Sequence, residues 1–214
     1  MPEQGRAEEL LAQGEVVRTR LEGVHRAREE ALAACRRTIR ACGKSIRAIH
    51  RLQPDEYATL VAEAATSLRA AQDAVRPHPT VAGAGFLHDA EKEYAEARLT
   101  AALVEGSPLP DAADLSVGTP AWLNGLAEAA SELRRHLLDR LRQGELDRAE
   151  QLLRSMEDVY DMLVTIDYPD AITGGLRRTV DALRAVLERS RGDVTTATLQ
   201  ARLRQTLDRS FGGD

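Results

Sequence analysis

Residues 87–104 read LHDAEKEYAEARLTAALV, and an apolar side chain recurs there at every third or fourth position. This spacing places those side chains on one side of an α-helix with 3.6 residues per turn. Several of them are alanines, which favours close approach of a neighbouring helix. The stripe consists of Leu87, Ala90, Tyr94, Ala97, Ala101 and Val104.

The same period recurs along most of the chain, and no alternating β pattern of useful length appears. Prolines and glycines separate the segments, for example around Pro77 and Pro79 and again between Gly106 and Pro110. Gly192 and Asp193 predict a stop followed by a new helix. We therefore expect an all-α chain, a seven-helix antiparallel bundle in one domain over residues 1–214. The predicted helices cover about 8–30 (with a longer alternative to 51), 55–75, 83–105, 121–142, 146–165, a segment interrupted at 173–175 and continuing to 191, and 195–210.

Composition and the lack of long apolar runs argue against a membrane protein. The chain has 214 residues, a net charge of −5 and only 3% aromatic residues. It has no apolar run long enough for a membrane span and no signal-peptide pattern at its start. Cys35 and Cys42, seven positions apart on one predicted helix, are too distant for a disulfide and are expected to be reduced core residues of a cytoplasmic protein. Surplus apolar surface on the helices favours a homo-oligomer.

Two acidic pairs lie on two different predicted helices. Glu93 and Glu96 are ~60° apart around one helix, and Glu128 and Glu132 are ~40° apart around the other. Like charges at this spacing repel, and a divalent cation would relieve the repulsion. Carboxylates without a paired histidine or cysteine suit a hard ion better than zinc. A solvated acidic face is the alternative, and His136, one turn beyond Glu132, is expected to be a surface histidine rather than a supporting group of the site.

A basic ridge is predicted on the first long helix. Its five cations fall within ~80° of one another, about 140° from the apolar stripe of the same helix. Evenly spaced cations suit a phosphate backbone, and few aromatic residues are interleaved to stack on bases. The ridge therefore predicts sequence-independent nucleic-acid contact, with a solvated face as the alternative. It consists of Arg36, Arg40, Lys44, Arg47 and Arg51.

Several of these segments, taken in order, resemble the translin family. Glu93-Tyr94-Ala95-Glu96-Ala97 is similar to a Glu-aromatic-Val-Glu-Ala motif of its catalytic branch, translin-associated factor X (TRAX). The segment from Gly125 to Arg135, GLAEAASELRR, resembles that branch's Gly-x-Ala-Asp-Leu-x-x-Glu-Leu-x-Arg motif. The segment at residues 51–57, RLQPDEY, resembles translin, and 167–172, DYPDAI, resembles prokaryotic members. The similarity is strongest over residues 21–192.

The resemblance implies a seven-helix subunit that assembles into a hollow, roughly octameric shell. It implies a Mg²⁺-dependent endoribonuclease acting on small single-stranded RNA, with Mn²⁺ as an alternative ion and single-stranded DNA as a second candidate ligand. Carried over by motif, Glu93, Glu96 and Glu128 become the catalytic metal ligands, and Glu132 becomes a supporting ligand. Glu128 stands where the family has Asp, which moves the carboxylate by more than an ångström.

Two alternatives remain open on the sequence alone. One is a non-catalytic oligomer that binds single-stranded RNA or DNA, as translin does, with the acids in structural roles. The other is an unrelated helical module for protein–protein contact. The presence of all four acidic residues, Glu93, Glu96, Glu128 and Glu132, favours the nuclease over the binding-only oligomer.

Overall fold

The described part of the chain, residues 3–211 of a computed structural model, is helical apart from short turns and loops. Six long helices are joined with two that each make a single turn. In chain order they are α1 (Glu3–His50), α2 (Pro54–Val75), α3 (Pro79–Ala82), α4 (Gly85–Glu105), α5 (Thr119–Gln143), α6 (Leu146–Leu163), α7 (Asp170–Thr173) and α8 (Leu176–Phe211). The expectation of an all-α fold is confirmed.

Helix α5 lies at the centre of the packing. It contacts α4 on one side and α6 and α8 on the other, while α4 also packs against the hairpin of α1 and α2. Two apolar clusters result. The larger joins α1, α2, α4, the first half of α5, the end of α6 and the start of α8, and the smaller gathers Leu137 of α5, Met156 of α6 and Leu187 of α8. Helices α4 and α5 are therefore held from both sides, which fixes the side chains that they present to each other.

Helix boundaries follow the predicted breakers. Pro54 and Pro79 each occupy the first turn of a helix, where a missing backbone N–H costs nothing. Gly106 and Gly144 adopt left-handed backbone angles, φ 73° and 79°, and end α4 and α5. The first helix is unbroken to His50, in agreement with the longer of the two predicted lengths.

The predicted stop at Gly192 is wrong, because α8 continues through it to Phe211. Asp193 does not cap a new helix: its carboxylate accepts a hydrogen bond of 2.7 Å from Arg134 of α5. The next residue, Val194, is buried in the smaller apolar cluster. This packing against α5 outweighs the roughly 1 kcal/mol that a glycine costs inside a helix.

The two cysteines are buried, as the sequence predicted, whereas several large apolar side chains are exposed. Cys35 and Cys42 are buried, unpaired in the described structure, and part of the larger apolar cluster. No helix within residues 3–211 is both long and apolar enough to cross a membrane. Large apolar side chains are nevertheless exposed on the N-terminal half of α1 and the C-terminal part of α8. They include Leu10, Leu11, Val16, Val17 and Leu21 on α1, and Leu199, Leu203 and Leu207 on α8.

Candidate metal centre

Helices α4 and α5 approach each other most closely at Gly125. A Cβ atom added there would lie 2.8 Å from the Ala95 Cβ atom, 2.9 Å from the Glu96 backbone nitrogen and 2.9 Å from the Lys92 carbonyl oxygen. Real Cβ atoms do not come so near to other atoms, so only glycine fits this crossing. Gly125 therefore sets the spacing at which the acidic side chains of the two helices meet.

Three carboxylates converge beside this crossing. Glu93 and Glu96 come from α4 and Glu128 comes from α5, and one oxygen from each lies within 4.8 Å of the other two. Glu96 is buried, whereas Glu93 and Glu128 are partly exposed. The three residues that the sequence predicted as metal ligands thus form one cluster, with one side open to solvent.

The carboxylates of the cluster repel one another strongly. Burial, together with the charges of Glu128 and Glu93, raises the pKa of Glu96 from an ordinary 4.5 to about 8. Burial also raises the pKa of Glu93, an effect opposed by the nearby Lys92 ammonium. Ionising all three carboxylates at this separation is energetically unfavourable unless positive charge lies among them.

Lys92 supplies part of that positive charge. Its Nζ atom donates to both carboxylate oxygens of Glu128, at 2.7 and 2.6 Å, and lies 3.5 Å from Oε1 of Glu93. Burial alone would lower the pKa of Lys92, but the hydrogen bonds to Glu128 and the surrounding carboxylates raise it. Sequence reasoning missed this residue. Its position directly before Glu93, the first residue of the motif, was the available signal.

Glu132 lies outside the three-carboxylate cluster and makes different contacts. Its Oε2 atom is 2.6 Å from Nε2 of His50, and Nδ1 of the same imidazole is 3.0 Å from Nε2 of His136. The hydrogen bond from His50 lowers the pKa of Glu132. Burial and the adjacent His50 lower the pKa of His136 to about 4, so His136 is neutral near pH 7.

The expectation of a surface histidine at position 136 is therefore wrong. His136 is 6% exposed, and its partner His50 is also largely buried at the end of α1. Glu132, His50 and His136 form a hydrogen-bonded chain, which we call the histidine relay, adjoining the cluster. The ionised Glu132 contributes to the raised pKa of Glu96, which places the relay within electrostatic reach of the buried carboxylate.

The five predicted ridge cations are all exposed, and none forms an ion pair with another residue of the described chain. Four of them, from Arg36 to Arg47, extend over ~16 Å of α1 at 1.5 Å per residue, and Arg51 lies just beyond the end of that helix. The opposite side of the helix is the buried one and packs against α4: Cys42 is fully buried there, and its burial, together with the charges of Glu93 and Glu96, raises its pKa to about 12. The ridge and the carboxylate cluster therefore lie on different sides of α1.

The donor set fits a hard divalent cation. Mg²⁺ takes oxygen ligands at about 2.0–2.1 Å, so ligand oxygens of one ion lie roughly 3 Å apart when adjacent and ~4.2 Å apart when opposite. One oxygen from each of the three carboxylates lies within 4.8 Å of the other two, close to this range. Glu93, Glu96 and Glu128 are thus the residues that could hold an ion.

Comparison with known proteins places the chain among relatives of similar length. No family model matches it. A protein of Methanocaldococcus jannaschii, MJ0175, is 29% identical over 184 residues, which cover 85% of this chain and 81% of that protein. That protein is uncharacterized.

Solved structures give a stronger match. The chain superposes on AfC3PO, both alone and in a complex with duplex RNA, with TM-scores of 0.81 and 0.82 and 34% identity; the matches cover 89% of this chain and 99% and 98% of the AfC3PO chains. Apo-NeC3PO shares the fold, with a TM-score of 0.77, 16% identity and coverage of 86% and 96%. Identity above 30% over nearly the whole AfC3PO chain agrees with the motifs at Glu93 and Gly125. The chain therefore belongs to the translin family.

Proposed function

We propose that this protein is a metal-dependent endoribonuclease of the TRAX type, which holds Mg²⁺ on Glu93, Glu96 and Glu128. The observation that carries the proposal is the convergence of these carboxylates within 4.8 Å across the α4–α5 crossing. A buried carboxylate with its pKa raised to about 8 is costly to ionise without a cation. Such a group is typical of a functional site rather than of a core selected for stability alone.

RNA is the proposed substrate. AfC3PO, 34% identical to this chain, has been solved in a complex with duplex RNA. The exposed, unpaired cations of the ridge offer a surface for a phosphate backbone, because arginine forks bind phosphate oxygens without reading bases. We propose small single-stranded RNA as the cleaved form, with single-stranded DNA as a weaker ligand, and the assay below compares single strands with duplexes.

The ridge and the cluster would have separate roles: the ridge would bind RNA, and the cluster would hold the cation. Because they lie on different sides of α1, the ridge would hold RNA without contacting the bond that is cleaved. Its loss should then weaken binding and leave the rate with saturating RNA nearly unchanged. Glu93, Glu96 and Glu128 would fix the cation against the scissile phosphate.

A bound Mg²⁺ would supply Lewis acidity towards the phosphodiester and lower the pKa of attacking water. The protein's own residues would prepare that chemistry. Glu132, held ionised by His50, is a fixed negative charge within electrostatic reach of Glu96. His136 would fix the imidazole of His50 through the 3.0 Å contact between their ring nitrogens. The relay would thus orient the Glu132 carboxylate and keep it ionised.

A non-catalytic RNA-binding oligomer is the alternative, and one observation favours it. The Lys92 ammonium already neutralises both oxygens of Glu128. An acidic cluster compensated by its own lysine could be a structural ion-pair network without a metal role. Metal binding to the purified protein separates the two, since the alternative requires no ion at these residues.

A hollow assembly of about eight subunits is also part of the proposal. Leucines and valines exposed at the two chain-terminal regions of the bundle, on α1 and α8, provide apolar surface that a second copy could cover. Light scattering of the purified protein at micromolar concentration should give a mass near eight times 23.4 kDa. A monomer would remove the enclosed-shell part of the proposal.

The function is tested by a cleavage assay with two labelled RNAs of one sequence, one single-stranded and one annealed as a duplex. We expect cleavage of the single strand with Mg²⁺ or Mn²⁺ and none after chelation. Cleavage that persists in chelator would remove the metal from the mechanism. Binding of both RNAs without cleavage under any metal would leave the binding-only alternative.

A further inference from the structure

The carboxylate cluster already contains one positively charged side chain. One ammonium, that of Lys92, donates to both oxygens of Glu128, and its side chain is only 20% exposed. Glu128 is also one of the three residues that could hold a metal ion. Lys92 and a metal ion would therefore compete for the same carboxylate.

The chemistry of the residue suits a displaceable group. Lys44 and Lys92 are the only lysines in a chain with 29 basic residues. A lysine ammonium is a compact charge on a flexible stem, whereas an arginine fork binds a carboxylate in one planar arrangement and would be harder to displace. The Lys92 backbone is held where its carbonyl faces Gly125, so motion of this residue would be confined to its side chain.

We propose that Lys92 is a displaceable counter-ion of the cluster, which neutralises Glu128 in the metal-free protein, releases it to an incoming metal ion and then turns its ammonium towards a phosphate oxygen of bound RNA. The inference rests on the proposed function and adds a residue that neither the motif nor the three-carboxylate geometry assigns.

Charge balance supports a Lys92 side chain that lies at Glu128 before metal binding and away from it afterwards. With Glu93, Glu96 and Glu128 ionised, one ammonium leaves the cluster with a formal excess of negative charge. Without the ammonium, a divalent cation would leave the three carboxylates with a formal charge of −1, against −2 for the ammonium alone, so the ion compensates the cluster better than Lys92 does and repels its ammonium. A phosphate group of the substrate would then be the nearest new partner for its charge.

The first test follows the reactivity of the two lysines in the full-length protein. Acetic anhydride in trace amounts labels exposed, unprotonated amines, and mass spectrometry of peptides reports Lys92 and Lys44 separately. Addition of Mg²⁺ should raise the labelling rate of Lys92 by about tenfold or more, since two charge-assisted hydrogen bonds are broken. Exposed Lys44 is the internal control and should change little. An unchanged or slower rate at Lys92 would overturn the inference.

The second test uses matched variants. Lys92→Met should tighten Mg²⁺ binding, measured by calorimetry, by about tenfold because the competitor is gone. It should also lower the cleavage rate at saturating Mg²⁺, because no ammonium reaches the phosphate. Lys44→Met removes the same charge from the ridge and should leave Mg²⁺ affinity unchanged. Weaker or equal Mg²⁺ binding by Lys92→Met, or an undiminished cleavage rate, would contradict the inference.

These outcomes also separate the inference from the proposed function. If the wild-type protein binds no metal at all, the metal-centre proposal fails, and the role of Lys92 fails with it. If the wild type binds Mg²⁺ and cleaves RNA while Lys92 labelling does not respond to metal, the enzyme stands and only the displacement of Lys92 is wrong.

Discussion

The Nε2 atom of His50 lies 2.6 Å from the Oε2 atom of Glu132, although the two residues are 82 positions apart in the chain. This contact joins the end of α1 to the middle of α5. Because His50 also contacts His136, one buried imidazole connects an acidic residue beside the carboxylate cluster to a second histidine. The end of α1 is therefore tied to the site through polar groups as well as through apolar packing.

Removal of His50 should destabilise the protein. In His50→Ala the carboxylate of Glu132 and the ring of buried His136 both lose their partner, which costs roughly 1–3 kcal/mol of unfolding free energy. Urea denaturation measures the change. His25→Ala, at an exposed position on the same helix, is the control and should change stability by less than about 0.5 kcal/mol. Equal stability of the two variants would contradict the buried network.

Metal binding should release a proton from Glu96. Its folded pKa is about 8 against an ordinary 4.5, so between these pH values the folded state holds a proton that the unfolded chain has released. Without metal, the contribution of Glu96 to stability is therefore full below pH 4.5 and is lost as the pH rises to 8. A cation requires the ionised form, so Mg²⁺ binding at pH 7 should release close to one proton.

Calorimetry in two buffers with different ionisation enthalpies measures that proton. Glu96→Gln, which cannot ionise, should be more stable than the metal-free wild type at pH 8 and should show no such release. Binding of Mg²⁺ to the wild type without proton release would mean that Glu96 is already ionised, and the raised pKa would be wrong.

Gly125 should be the least replaceable glycine within residues 3–211. A methyl group there would lie within 3.0 Å of atoms of Ala95, Glu96 and Lys92, so α4 and α5 would have to separate. Gly125→Ala should cost about 1–3 kcal/mol of stability and weaken Mg²⁺ binding, since the carboxylates move apart. Gly192→Ala, in an open position of helix α8, should instead stabilise by roughly 0.5–1 kcal/mol. Two variants of equal stability would refute the close crossing.

Sequence periodicity predicted the helices and the two acidic pairs, whereas the three-residue ligand set came from the resemblance to the translin family. Glu93 and Glu96 lie on one helix, and a period of 3.6 residues relates them directly. Glu128, on a second helix, was assigned to the same site only because residues 125–135 resemble a TRAX motif. These features are local in sequence, or are carried by short motifs that can be recognised without knowledge of the tertiary structure.

Contacts between distant residues could not be predicted in the same way. His50 lies at the edge of the apolar face of α1, and nothing near it in sequence identifies Glu132 as its partner. The continuous α8 is a similar case, because the pairing of Asp193 with Arg134 becomes visible only when α5 and α8 are packed together. Local signals for a cap or a break were overruled there by tertiary contacts.

The ridge should bind RNA through phosphates alone. Replacement of Arg40, Lys44 and Arg47 by alanine should weaken binding of all sequences to a similar degree. It should also reduce the slope of log affinity against log salt by about 0.7 for each single-strand phosphate that is no longer neutralised. A matched variant with alanine at the exposed Arg178, Arg184 and Arg189 of α8 removes equal charge and should retain the slope. Equal slopes for both variants would assign the ridge another role.

The cleavage rate of the three glutamine variants at saturating Mg²⁺ tests the metal centre most directly. Glu93→Gln, Glu96→Gln and Glu128→Gln preserve side-chain size while each removes one charged ligand. Each should fold and bind RNA but cleave at least ~100-fold more slowly than the wild type in a single-turnover assay, a loss of about 2.7 kcal/mol of transition-state stabilisation. Variants that cleave at the wild-type rate would contradict the account and leave the cluster as a structural ion-pair network.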